Sequence, residues 1–136
     1  MVVDDIIINK VKAIERCIKR IGECFDQKDE NVLNDPTRQE AILLNLQRVC
    51  ENAIDLAMHL IRLKQLGVPQ SSRGAFEILS DSGLISRDLM SEMQRMVGFR
   101  NIAVHEYHKI DPIIVLAIVK RNLHHFEEFV RAVKKA

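Results

Sequence analysis

Apolar residues return at three- and four-residue steps along almost the whole chain, and this period limits what it can fold into more than any motif does. Ile6, Ile7, Val11, Ile14, Cys17, Ile18, Ile21 and Phe25 fall on one face of a helix predicted from about residue 3 to about residue 28. Lys10, Lys12, Glu15, Arg16, Lys19 and Arg20 lie mainly on the other side, as a solvated face. A second helix has a clear start: Asp35 as cap, Pro36 in the first helical position, and Glu40 near the positive end of the dipole. Ile42, Leu46, Val49, Ala53, Leu56, Leu60 and Leu63 form its stripe, and Leu43, Cys50, Ala57 and Ile61 widen it. A face this broad can serve both its own bundle and a second copy of the chain. Gly67 and Pro69 are expected to end it.

Ser71, Ser72, Arg73 and Gly74 read as a polar connection, and Phe76, Ile78 and Leu79 as a short helix stopped by Ser80-Asp81-Ser82-Gly83. Ser86 caps the next helix, with Asp88 in its first turn and Leu89, Met93, Met96 and Val97 turned inward. Asp111-Pro112 opens the last one, which runs through Ile118, Phe126, Phe129 and Val133 to Lys134-Lys135. Five Gly, three Pro and 4% aromatics leave little for sheets and many turns. The expected fold is all-α: an up-and-down bundle of four long helices and one short one, in a single domain spanning residues 1–136.

A net charge of +1 excludes a generally polybasic nucleic-acid binder but leaves room for a local basic site. Cys17, Cys24 and Cys50 are odd in number and sit among apolar residues at helical spacing, so they read as core thiols of a reducing compartment. The N-terminus lacks the basic stretch of a signal peptide. The longest apolar run, Ile113 to Val119, is far short of the ~20 residues of a membrane span. These features point to a cytoplasmic protein away from the membrane.

One stretch is not explained by packing: Gly98-Phe99-Arg100-Asn101-Ile102-Ala103-Val104-His105-Glu106-Tyr107-His108. A guanidinium, an amide, an imidazole and the chain's only tyrosine crowd a helix end, where a bundle needs none of them. Gly98, a poor helix former, lets another backbone or a ligand come close. Competing chemistries fare badly. His105, His108, His124 and His125 match no metal-ligand spacing, and no phosphate loop or nucleophile elbow is present. No metal or cofactor is expected. Asp55 and His59, at i and i+4, are either a buried polar pair or part of the same cleft as Arg100. On a continuous helix Arg100 and His105 stand about 140° and ~7.5 Å apart, so they converge only if the arginine reaches round or the helix ends near Ala103. The residues alone therefore leave open a structural reading, in which Arg100 pairs with acids and His105 caps a helix C-terminus.

The pattern Arg100-Asn101, His105, Tyr107 resembles the R-x4-H-x-Y signature of HepT-like toxins, a branch of the HEPN superfamily of helical ribonucleases. The resemblance extends to the short all-α chain and to the motif's place between the last two long helices. It implies a metal-independent endoribonuclease that works as a homodimer and is the toxin of a toxin–antitoxin pair. Its antitoxin would be a minimal nucleotidyltransferase of the MntA type, which can transfer AMP onto Tyr107. Arg100 and His105 would be catalytic, and Asn101 would orient His105 or contact a phosphate.

The chemistry agrees with that implication. The 2′-hydroxyl of RNA can attack the adjacent phosphate if one group takes its proton and another protonates the leaving oxygen, and imidazole suits both roles near neutral pH. A guanidinium can hold two phosphoryl oxygens and their added transition-state charge. One motif supplies one imidazole, so a two-fold dimer with two motifs across one cleft would complete the site. The alternative is a non-catalytic helical partner that only binds a minimal nucleotidyltransferase.

Overall fold

A computed structural model describes residues 4–136, with Tyr107 described by its backbone alone. The elements are α1 (Asp5–Phe25), α2 (Glu30–Leu33), α3 (Pro36–Lys64), α4 (Ser72–Asp81), α5 (Arg87–Glu106), a 3-10 turn (Tyr107–Lys109), α6 (Pro112–Arg121) and α7 (Leu123–Lys135). No strand occurs among the described residues, so the all-α expectation holds.

Local chemistry sets most of these boundaries. Asp4 caps α1 by accepting from the amides of Ile6 and Ile7, and α1 ends where Asp26 and Gln27 turn to positive φ. The Asp35 carboxylate accepts from the Arg38 amide at 3.1 Å, Ser86 Oγ from the Leu89 amide at 3.1 Å, and the Asp111 carboxylate from the Ile113 amide at 2.9 Å. Each contact satisfies one of the orphan amides of a helix start.

Three details depart from the sequence reading. First, α3 stops at Lys64 through a left-handed Gln65, whose follower Leu66 returns its amide to Ile61, so the helix ends before Gly67 and Pro69. Second, α4 starts earlier than its apolar residues suggest. Ser71 Oγ accepts from the Gly74 amide at 2.9 Å, which puts Arg73 in the first turn of a helix and not in a connection. Third, the last long helix is broken at Asn122, which separates α6 from α7, and the one-turn α2 adds a second short helix. Asn is a weak helix former because its amide competes for backbone groups. Here the Asn122 amide donates to Glu92 at 3.4 Å.

The core lies where α1, α3, α5 and α7 meet. Ile14 and Ile21 of α1, Ile42, Leu46, Leu56 and Ile61 of α3, and Phe126 and Phe129 of α7 are completely buried. Phe76 of α4 meets Phe129 edge to face, with ring centroids 5.6 Å apart. Cys17 and Cys50 are buried free thiols and Cys24 is half-buried. Desolvation pushes the Cys50 thiol up to about 12, which keeps it a small core hydrophobe. The packing holds α5 along α3 and leaves the C-terminal end of α5 as a platform.

Candidate functional site

α5 continues without a break through Glu106, so the motif lies on one regular helix followed by a 3-10 turn. An early end near Ala103 is thereby ruled out, and Arg100 and His105 keep their separation of about 140° in azimuth. Arg100 shares the side of α5 that packs on α3. It is half-buried, and its positive charge is felt by the core thiol of Cys50. Its Nε is fully shielded from solvent and has no hydrogen-bond partner among the described residues. An unsatisfied buried donor costs about 1–3 kcal/mol, more on a charged group, so this one calls for a partner that the described residues do not supply.

Asn101 and His105 take the opposite side. Both are exposed, and neither makes a hydrogen bond to a side chain among the described residues. The structural reading holds in one half and not in the other: His105 does stand in the last turn of α5, but among the described residues no carboxylate lies within salt-bridge distance of Arg100. The backbone of Tyr107 begins the 3-10 turn directly after α5. Its side chain lies outside the described residues.

The close neighbour of Gly98 is neither another backbone nor a ligand but the side chain of Arg73. A Cβ built on Gly98 would stand 2.7 Å from Arg73 Nη2. The Arg73 carbonyl in turn accepts from Gln94 Nε2 at 3.0 Å. Arg95 instead pairs with Glu92 at 3.0 Å.

Asp55 and His59 leave the site altogether. Both turn towards α1: Lys10 Nζ meets Asp55 at 3.0 Å, and His59 Nε2 meets Asp4 at 2.9 Å. They staple α1 to α3 and do not line a cleft with Arg100. His125, half-buried, lies 3.5 Å from Glu92, while His124 is exposed. Among the described residues no three His, Cys, Asp or Glu side chains are placed to hold a metal ion.

Sequence reasoning missed the Glu92 cluster, which gathers Arg95, Asn122 and His125 and locks the α6–α7 joint onto α5. No local signal foretells it, because its members are drawn from positions up to 33 residues apart in the chain.

On the α3 side of α5, an open groove is lined by Glu40, Leu43, Leu44, Gln47, Ala103 and Val104. Glu40 and Leu43 also line a cavity of about 220 Å³ that reaches His108, Ile110 and Pro112. Leu44 and Val104 leave 45% and 43% of their surface exposed, which is high for aliphatic side chains beside a core.

The family profile described as Ribonuclease HepT-like matches residues 14–133. The chain belongs to the ribonuclease HepT-like family. An mRNA nuclease HepT from Shewanella oneidensis is 45% identical over 131 residues, covering 96% of this chain and 98% of that protein. A tRNA nuclease HepT from Aphanizomenon flos-aquae is 28% identical, covering 88% and 86%. The solved structure of a tri-AMPylated Shewanella oneidensis HEPN toxin in complex with its MNT antitoxin superposes with a TM-score of 0.93 at 44% identity, over 98% of this chain and 100% of that one. Within this HepT-like chain, the motif therefore sits on a scaffold shared almost end to end with a HEPN toxin.

Proposed function

We propose that this chain is the toxin of a toxin–antitoxin pair, a metal-independent endoribonuclease acting as a homodimer in the cytoplasm, with residues 1–136 as one helical domain. The observation that carries the assignment is the state of the motif. Arg100 is half-buried with an unpartnered Nε, one to two turns from an exposed His105, in a chain of the ribonuclease HepT-like family.

The RNA 2′-hydroxyl attacks the adjacent phosphorus as His105 takes its proton, the bond to the 5′-oxygen breaks, and a protonated imidazole returns a proton to that oxygen. The products are a 2′,3′-cyclic phosphate and a 5′-hydroxyl. Arg100 stabilises the charge on the phosphoryl oxygens in flight, and Asn101 orients His105 or the phosphate.

Because Arg100 and His105 occupy different sides of one helix, a single copy is a poor catalyst. A two-fold dimer sets two motifs across one cleft and supplies the second imidazole. The open groove between α3 and α5, beside the motif and partly apolar, is the face on which that second copy seats.

Control falls to Tyr107. The relative crystallised as a tri-AMPylated toxin with an MNT antitoxin supports the same arrangement here. A nucleotidyltransferase partner joins the tyrosyl oxygen to the α-phosphorus of ATP with loss of pyrophosphate, placing bulk and negative charge where the RNA phosphate must sit.

His105→Ala and, separately, Arg100→Ala are expected to lower RNA cleavage by at least about a hundredfold, the usual scale for losing one acid–base or charge-stabilising group. Circular dichroism should remain that of the parent. A 2′-deoxy substitution at the cut site should block the wild type, and EDTA should not. Full activity in His105→Ala, or strict dependence on a divalent ion, would contradict the assignment.

A further inference from the structure

Arg73 is an unusual arginine in this fold. It stands in the first turn of α4, at the positive end of the helix dipole, where a cation is disfavoured. Glu77, one turn further along α4, is the obvious ion-pair partner, yet no carboxylate lies within salt-bridge distance of Arg73 among the described residues. The guanidinium instead lies over the backbone of α5 at Gly98, in space that any other residue would fill with a Cβ 2.7 Å from Nη2. The contact from Gln94 to the Arg73 carbonyl fixes the start of α4 against α5. What sets Arg73 apart from the other exposed arginines without an ion pair is its place: its guanidinium is held over the α5 backbone at Gly98, in line with the motif face.

The register of α5 indicates what the ligand is. Gly98 and His105 are seven residues apart, close to two helical turns, so they share an azimuth to within about 20° and are separated by about 10 Å along the axis. Asn101 lies between them on the same face. Arg73, Asn101 and His105 thus form one exposed row along α5, while Arg100 approaches from the other side. A ribonucleotide strand whose scissile phosphate sits at His105 and runs along this row brings a neighbouring phosphate to Arg73.

We infer that Arg73, cradled by Gly98, grips a second backbone phosphate of the RNA one or two nucleotides from the cut. This rests on the ribonuclease reading above. A contact to phosphate positions the strand and carries no base preference. Arg73 is therefore a substrate-positioning residue, expected to act on KM and on salt dependence and not on the bond-breaking step.

The test uses Arg73→Ala, Arg73→Lys and Gly98→Ala, each made in the wild type for cleavage and in His105→Ala for binding without turnover. The probe is a short labelled single-stranded RNA of mixed sequence. Arg73→Ala is expected to raise KM about tenfold with kcat within about twofold, and to reduce the slope of log affinity against log salt by about 0.7, the value for one lost phosphate contact on a single strand. Arg73→Lys should restore the slope but only part of the affinity, since lysine keeps the charge and loses the fork.

Gly98→Ala separates binding from folding. Alanine favours the helix, so Tm should hold or rise while affinity falls, because the new methyl displaces the guanidinium. Unchanged KM and salt slope in Arg73→Ala would overturn the inference. So would a Tm loss in Gly98→Ala that accounts for all of its lost affinity. Wild-type protein that cuts RNA, with His105→Ala that does not, upholds the ribonuclease reading whichever way the Arg73 variants behave.

Discussion

Asp4 shows how much one side chain can hold together. Its carboxylate caps α1 through the amides of Ile6 and Ile7 and also meets His59 of α3 at 2.9 Å. The hydrogen bond from His59 is the main reason that its carboxyl sits below the ordinary 3.8, with the two amides helping and partial burial opposing. A carboxyl with a depressed folded pKa contributes stability that is complete above its unfolded value and is lost as pH falls through the folded one. Asp4→Asn keeps a capping oxygen but removes the charge. It should therefore be less stable than the wild type at pH 7, and in urea titrations the gap between the two proteins should close as pH falls through the folded-state pKa of Asp4, which lies below 3.8. A gap that did not narrow at all as the pH is taken down from 3.8 would assign the effect to shape and not to charge. The spacing of Asp55 and His59 suggested polar work for this part of α3, but not its direction. A helix face is legible from the sequence; the neighbour it meets is set by long-range packing.

Among the elements, α6 is the one whose start bears most on the site. It follows the 3-10 turn that carries Tyr107, and it is opened by the Asp111 carboxylate accepting from the Ile113 amide at 2.9 Å. Asp111→Ala leaves that amide unsatisfied and should cost about 1 kcal/mol. For a chain of this size that is a fall of about 4 °C in Tm, measurable by calorimetry. A cap removed beside Tyr107 should also loosen the turn, read as faster amide exchange at residues 107–113.

The caps at Asp35, Ser86 and Asp111 were legible because their chemistry is local. The break at Asn122 and the early start of α4 were not. The first depends on Glu92, 30 residues away, as a partner for the Asn122 amide. The second depends on a serine whose capping role shows only once Gly74 is known to be helical. The same limit hid the meaning of Gly98: the sequence suggested room for a backbone or a ligand, and only the placement of α4 shows that the Arg73 side chain fills it.

At the scale of the whole molecule, the motif was legible as chemistry but not as geometry. Arg100, Asn101 and His105 stand out because a bundle has no use for them, yet whether they converge depends on where α5 ends. It ends at Glu106, so one copy displays Arg100 and His105 on different sides, and the incompleteness points outward to a second chain. The groove beside Leu44 and Val104 is the surface proposed above for that chain.

Leu44→Glu tests it without touching the motif. In a two-fold interface one substitution places two carboxylates in the contact, and each carries the desolvation penalty of an ion moved out of water. The expected result is a monomer by light scattering at concentrations where the wild type is a dimer, with helical content unchanged because Leu44 is already 45% exposed in the single chain. RNA cleavage should fall with the dimer population and recover as protein concentration is raised. A Leu44→Glu protein that is monomeric and fully active would show that one copy of the motif suffices, and a dimer that persists would place the second chain on another face.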